Sequence, residues 1–281
     1  MTNEGHPDPV GATAASAPVQ TAESTALLSM RGIGKNFGPV QALRDVDFDA
    51  RAGEVTALCG DNGAGKTVLI KCIAGIHEPS GGRISWEGHR VHIRTPRDAS
   101  ALGIATVYQD LALCDNLDIV QNMFLGHERL RYQLLDENAM EQAATETLSR
   151  LSVTTVRSIR QPVGSLSGGQ RQAVAVAKAV MGESKLVIMD EPTAALGVAQ
   201  TTVVLDLVRR LADEGIAVIM ISHNLNNVFD VADRIAVLTL GRMVAVGPVA
   251  DFDPQVVVEL MTTGRSARLP ARAGNGSQEP A

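Results

Sequence analysis

The stretch 59-CGDNGAGKTVLIKCIAG-75 decides the fold. Three glycines within six positions precede a lysine, a threonine and an apolar run. The spacing Gly60-x-x-x-x-Gly65-Lys66-Thr67 satisfies the P-loop pattern. Its physical basis is contiguous in the chain. Glycines let successive backbone N–H groups curl around a phosphate, and a helix starting near residue 65 points its positive dipole end at the same place. The spacing therefore predicts a buried strand over "VTALCG" (55–60), a phosphate-binding loop, and a helix over 65–75. Within the loop, Gly60, Asp61, Asn62, Gly63, Ala64 and Gly65 form the cradle. Lys66 bridges the β and γ oxygens and the Thr67 hydroxyl ligates Mg²⁺.

Outward from the loop, the chain alternates strands and helices between about residues 26 and 263. "ALLSMRGIGKNF" (26–37) and "VQALRDVDFDA" (40–50) read as antiparallel strands. "GGRISWEGHRVHI" (81–93) alternates at period two, as a half-exposed hairpin does. In "TPRDASALG" (95–103), Thr95 is an N-cap, Pro96 the first helical residue, Asp98 the reciprocal cap and Gly103 the stop. "IATVYQ" (104–109) is a β-branched strand. Residues 117–160 are rich in Leu, Met, Gln and Glu with few strand formers, which predicts a helical insertion between parallel strands. "KLVIMD" (185–190) and "IAVIMIS" (216–222) are unbroken apolar runs, as in strands buried on both faces. Short strands at 234–240 and 242–247 and a helix capped by Asp253, with Pro254 first, complete the domain. No internal repeat is visible.

Composition narrows the function classes. The 281 residues are 45% apolar but only 3% aromatic, and the formal net charge is −6. That balance, without a dense Lys/Arg stripe, argues against nucleic acid as a partner. Cys59, Cys72 and Cys114 are odd in number and widely spaced, so they read as small buried side chains rather than a metal site or disulfide framework. His6, His77, His89, His92 and His127 form no metal-binding pattern. Nothing approaches the roughly 18 unbroken apolar residues of a membrane span; the best run, "AVAVAKAVMG" (173–182), carries Lys178. The first 25 residues lack the basic start and apolar core of a signal peptide, and together with 264–281 they read as disordered tails. A cytoplasmic protein is expected.

Two further motifs carry chemistry. In "KLVIMDEP" (185–192) the strand ends in Asp190-Glu191, at the carboxyl edge where ligands of such sheets sit. Asp190 suits Mg²⁺, as a ligand or just behind one, and Glu191 suits a base that polarises an attacking water. "LSGGQ" (166–170) opens the next helix. Ser167, Gly168, Gly169 and Gln170 offer a second phosphate-binding cap, redundant for one nucleotide unless it serves one held by another chain.

P-loop, "LSGGQ" and "VIMDEP" in this order resemble the nucleotide-binding subunit of an ABC transporter, over nearly the whole ordered region. The resemblance implies an α/β P-loop NTPase of ABC type: a mixed sheet core with an antiparallel β subdomain and a helical subdomain inserted at about 110–165. It implies ATP and Mg²⁺ as cofactors. Gln109 in "VYQD" matches the glutamine that senses Mg²⁺ and couples to the membrane subunit. His223 in "IMISHN" matches the histidine that contacts the γ-phosphate. Phe37 in "GKNFGPV" matches the aromatic that stacks on adenine. One position departs: after "EPT" the family's loop ends in aspartate, and here "AALG" places Gly197 there, which puts the strength of coupling between paired sites in question.

The segments 95–126 and 222–242 are similar to bacterial carbohydrate importers of the ribose, xylose and fructose type. The chain has one P-loop and one "LSGGQ", so the resemblance implies pairing with itself or a sister ATPase. It also implies transmembrane permease subunits, an extracytoplasmic solute-binding protein reached through them, and a peripheral position on the inner face of the membrane. Two rival readings are a soluble non-transport ABC ATPase and an exporter ATPase. Paired modules, a long coiled coil, basic surfaces or a fused membrane domain would favour them, and the sequence carries none.

Overall fold

The structure, a computed structural model, describes residues 26–153 and 156–268. The expected N-terminal tail and most of the C-terminal one lie outside the described residues. Residues 264–268, placed in that second tail by the sequence, fold back on the last helix: the Ser266 hydroxyl donates to Glu259 and Arg268 pairs with Asp253.

Two sheets organise the chain. The strands β1 (Leu28–Phe37), β2 (Val40–Ala50), β4 (Gly81–Trp86) and β5 (His89–Val91) form an antiparallel sheet in the order β2-β1-β4-β5. The second sheet contains β3 (Val55–Cys59), β6 (Ile104–Val107), β9 (Leu186–Asp190), β10 (Ala217–Ile221), β11 (Arg234–Thr239) and β12 (Arg242–Pro248). Its order is β12-β11-β3-β10-β9-β6, parallel except for β12 at one edge.

The unbroken apolar runs have a direct cause. On β3 and β9, Val55, Ala57, Cys59, Val187 and Met189 enter one core, while Leu58, Leu186 and Ile188 enter another on the opposite face. Successive side chains on a strand point to opposite faces, so a strand covered on both sides needs apolar residues at every position. The first core is roofed by the helices α5 (Gly168–Val180) and α6 (Val198–Asp213). The second is closed by α1 (Lys66–Ile73) and the antiparallel sheet. Cys59 is buried in the first core and Cys72 in the second, Cys114 is only partly buried, and all three are free thiols. Burial pushes the Cys59 thiol up to about 12, so it is no nucleophile at neutral pH.

Local signals set several ends. The helix α2 (Pro96–Ala101) carries the full reciprocal cap, with Thr95 Oγ1 accepting from Asp98 N–H and the Asp98 carboxylate accepting from Thr95 N–H. Two details differ from the sequence reading. The P-loop helix is shorter, because Ala74 caps it and Gly75 leaves in a left-handed conformation at φ 72°. The stretch 117–160 contains not only α3 (Ile119–Phe124) and α4 (Glu137–Arg150) but also a small hairpin, β7 (Leu130–Arg131) with β8 (Leu134–Leu135). Its turn sets Tyr132 and Gln133 both at positive φ, which the tight two-residue connection requires and local composition does not announce.

Candidate functional site

The parallel sheet brings the sequence-predicted residues to one edge. β3 and β9 flank β10, with Ile221 opposite Leu58 on one side and Asp190 on the other; β6 lies beyond β9, with Val107 opposite Met189. Four chain segments therefore leave the same carboxyl edge side by side: the P-loop after Cys59, Asp190-Glu191, Ser222-His223, and Tyr108-Gln109. That edge is where such sheets take ligands.

The P-loop's glycines are demanded by space as well as backbone freedom. A Cβ on Gly60 would stand 2.3 Å from the Leu238 carbonyl oxygen. Gly65 sits at φ 105°, with Ala42 O and Leu43 Cδ2 both 3.0 Å from where a Cβ would lie. Lys66 folds its ammonium back onto the loop, donating to the Gly60 carbonyl at 2.7 Å and to the Asp61 carbonyl at 3.0 Å. It is thus held as a point charge at the loop's mouth. Ala64 is buried, and its carbonyl accepts from Gly241 N–H at 2.9 Å.

A cleft of ≈ 510 Å³ opens over the loop, within the size range of small-molecule sites. Residues 62–68, Thr67 among them, form one wall; Val40, Gln41, Ala42 and Arg44 of β2 with Leu240 and Gly241 of the β11–β12 turn form the other. These six residues escape sequence reading, because they come from segments about 20 and 175 residues away along the chain from the loop and carry no motif. Phe37 is absent from the lining. Its ring, 42% exposed, rests edge-on against His77 at 5.1 Å between centroids, with the Lys35 ammonium 5.1 Å from it.

Glu191 and His223 meet directly. His223 Nδ1 lies 2.8 Å from Glu191 Oε2; the carboxylate is 17% exposed and the imidazole 72%. Glu191 adopts φ 51°, a left-handed conformation costly for a residue with a side chain. The backbone fixes it there, its N–H donating to the Ile221 carbonyl at 3.0 Å. Asn227 on α7 (Leu225–Val231) donates to Thr193 Oγ1 at 2.9 Å, tying the histidine-bearing segment to the loop beyond Glu191.

Asp190 is half-buried, and its carboxyl is raised above the usual carboxylate range, first by burial and then by the charge of Glu191, with Lys66 and Lys71 pulling the other way. The two adjacent carboxylates, with the Thr67 hydroxyl on the P-loop helix, offer hard oxygen donors, and the Lys66 and Lys71 charges only partly offset them. The residues present therefore fit Mg²⁺, which takes one or two carboxylates together with substrate phosphates. Gln109 is exposed just past β6, beside the β9 end.

Ser167, Gly168, Gly169 and Gln170 lie elsewhere, outside the lining of the P-loop cleft. Ser167 caps α5, its Oγ accepting from Gln170 N–H while Gln170 Oε1 accepts from Ser167 N–H. Gly168 is tight against the loop before α6, and Gly169 against the first turn of α6. A Cβ on Gly168 would lie 2.9 Å from Leu196 Cδ2, and one on Gly169 3.0 Å from Gln200 Cβ. The second phosphate-type cap is thereby packed against the loop that follows Glu191.

Gly197 is the N-cap of α6 with φ −72°, no side-chain cap bond, and open space around its missing Cβ. Gly197→Asp should stabilise the fold by roughly 0.5–1 kcal/mol, from a cap hydrogen bond and a less flexible unfolded chain. A thermal melt checks it; the midpoint should rise, and a fall would show that the loop needs glycine.

The comparisons agree in one direction. The ABC transporter family profile matches residues 43–194. The fructose import ATP-binding protein of Rhizobium meliloti is 46% identical over 243 residues, which is 84% of this chain and 94% of that protein. The xylose/arabinose import ATP-binding protein of Sulfolobus acidocaldarius is 44% identical over 237 residues, again 84% and 94%. A ribose import ATP-binding protein of Rubrobacter xylanophilus is 43% identical, with 85% of this chain matching 47% of that one. Among solved structures, an ATP-binding cassette of an ABC transporter in its ADP conformation superposes with a TM-score of 0.73 at 25% identity, covering 85% of this chain and 96% of that chain.

Proposed function

Because the chain belongs to the ABC transporter family, we propose that it is the ATP-hydrolysing subunit of a sugar importer, driving a membrane permease. The observation that carries this reading is the convergence of the P-loop, Asp190-Glu191, His223 and Gln109 on one edge of the parallel sheet. The catalytic unit spans 26–263, with its helical subdomain at about 110–165.

In this reading the P-loop N–H groups and the Lys66 ammonium hold the phosphates, and Thr67, Asp190 and Gln109 hold Mg²⁺, which supplies neutralisation of phosphate charge. Glu191 orients and polarises the attacking water, and His223, within hydrogen-bond reach of it, stands at the γ-phosphate. Phe37 serves the adenine at the entrance. Ser167 to Gln170 lie outside the lining of the chain's own P-loop cleft, which supports a second copy or a sister subunit supplying the cap across a shared ATP. Gln109 and the helical subdomain pass closure to the permease, through which an extracytoplasmic solute-binding protein delivers the sugar. Among the described residues no helix is long and apolar enough to cross a membrane; the subunit sits on the cytoplasmic face through its permease.

The test is capture of the tagged chain from membranes with identification of its companions, followed by sugar uptake in the deletion strain. Permease subunits should co-purify and uptake should require this chain. Companions confined to ribosomes or nucleoid would overturn the importer reading.

A further inference from the structure

We propose that Arg44 is a nucleotide-binding residue that holds the phosphate-bearing part of the ligand from the wall opposite the P-loop. The inference rests on the nucleotide-cleft reading above. It begins with a bulge in β2. Ile33 pairs with Val46 and Lys35 with Leu43, so β1 advances two residues while β2 advances three. The extra residue falls at Arg44-Asp45, between Leu43 and Val46, both of which are buried. Bulges of this kind re-aim a side chain that regular alternation would place elsewhere.

The bulge is held at a cost. Asp45 adopts φ 49°, uncommon for a residue with a side chain. The strained backbone is pinned at Arg44, whose N–H donates to the Gly241 carbonyl at 2.8 Å, while Gly241 N–H donates to Ala64 in the P-loop. A Cβ on Gly241 would meet the Ala42 carbonyl oxygen at 2.6 Å, so only glycine allows this approach. Three chain segments are thus locked together around the bulge, and Arg44 is the cationic residue they bring to the cleft wall facing the P-loop.

Among the described residues the Arg44 guanidinium has no ion-pair or hydrogen-bond partner. The neighbouring carboxylate turns away, with Asp45 Oδ1 lying 3.3 Å from the Cβ position of Gly32 on β1. An unpartnered guanidinium in the same cleft as Lys66 and the P-loop N–H groups suits a phosphate, which it can grip with two parallel hydrogen bonds.

Titration calorimetry on the full chain tests this with ATP, ADP and adenosine. Arg44→Ala should weaken ATP and ADP by roughly 5- to 30-fold, the scale of one partly solvated charge-assisted hydrogen bond, and leave adenosine unchanged. Arg44→Gln, which keeps the stem, should lose nearly as much, and melts of both should match the parent. Unchanged ATP affinity in both variants, with Lys66→Ala still losing binding, overturns the role of Arg44 alone. Retention of ATP by Lys66→Ala as well would mean the cleft reading has failed. An equal loss for adenosine would place the guanidinium on the base and also overturn the proposal.

Discussion

Glu191→Gln is expected to bind ATP with near-parental affinity and hydrolyse it roughly 10²- to 10⁴-fold more slowly, the range a positioned general base contributes. The substitution keeps size and shape. Glutamine's carbonyl oxygen can still accept from His223, whose Nδ1 lies 2.8 Å from the present carboxylate, and the backbone bond to Ile221 is untouched. What disappears is the basic oxygen. Binding persists because Lys66 and the loop N–H groups are unchanged. If the shared-site proposal holds, the surviving γ-phosphate keeps joining each P-loop to the opposite Ser167 cap, so ATP should accumulate closed dimers that ADP does not. Ser167→Arg, added to Glu191→Gln, should abolish the trapping. Phosphate release and light scattering on an eluting column read both effects. Rapid turnover by Glu191→Gln removes Glu191 from the base role, and trapping indifferent to Ser167 removes the shared cap.

Lys66→Ala should abolish measurable hydrolysis and weaken ATP binding by roughly 10- to 100-fold, as the loss of hydrogen bonds from a charged group implies. Its ammonium is the cation that the structure anchors at the mouth of the loop, 2.7 Å from the Gly60 carbonyl. It also restrains the raised Asp190 carboxyl, so its removal should push Asp190 further towards the protonated form and away from a role at Mg²⁺. The fold should survive, because Lys66 bonds only to the Gly60 and Asp61 carbonyls of its own loop and belongs to neither buried core. Calorimetry and a melt together decide: unchanged ATP affinity in a folded variant would overturn the P-loop assignment.

The loop, the strand before it and the helix after it were legible because a phosphate cradle is built from consecutive residues. The caps at Thr95 and Ser167 were legible for the same reason: donor and acceptor stand three positions apart. The runs 185–190 and 216–222 announced strands buried on both faces through their lack of alternation. What local pattern could not carry was the pairing of segments. The hairpin inside the helical stretch depends on two residues at positive φ, Tyr132 and Gln133, neither of them a glycine.

From its sequence alone, this protein has its class, its phosphate loop and the residue types that act on a nucleotide, since each of these is written within a few neighbouring positions. Tertiary structure alone decided that Glu191 and His223 touch, that Gly168 and Gly169 are glycines partly to admit α6 and the loop before it, and that a bulged β2 and the turn at Gly241 build the far wall of the cleft with Arg44 in it. The reason is register. A strand's periodicity says which residues share a face but not which strand lies beside it or at what offset, and those offsets, fixed by packing across two cores, are what bring distant residues to one edge.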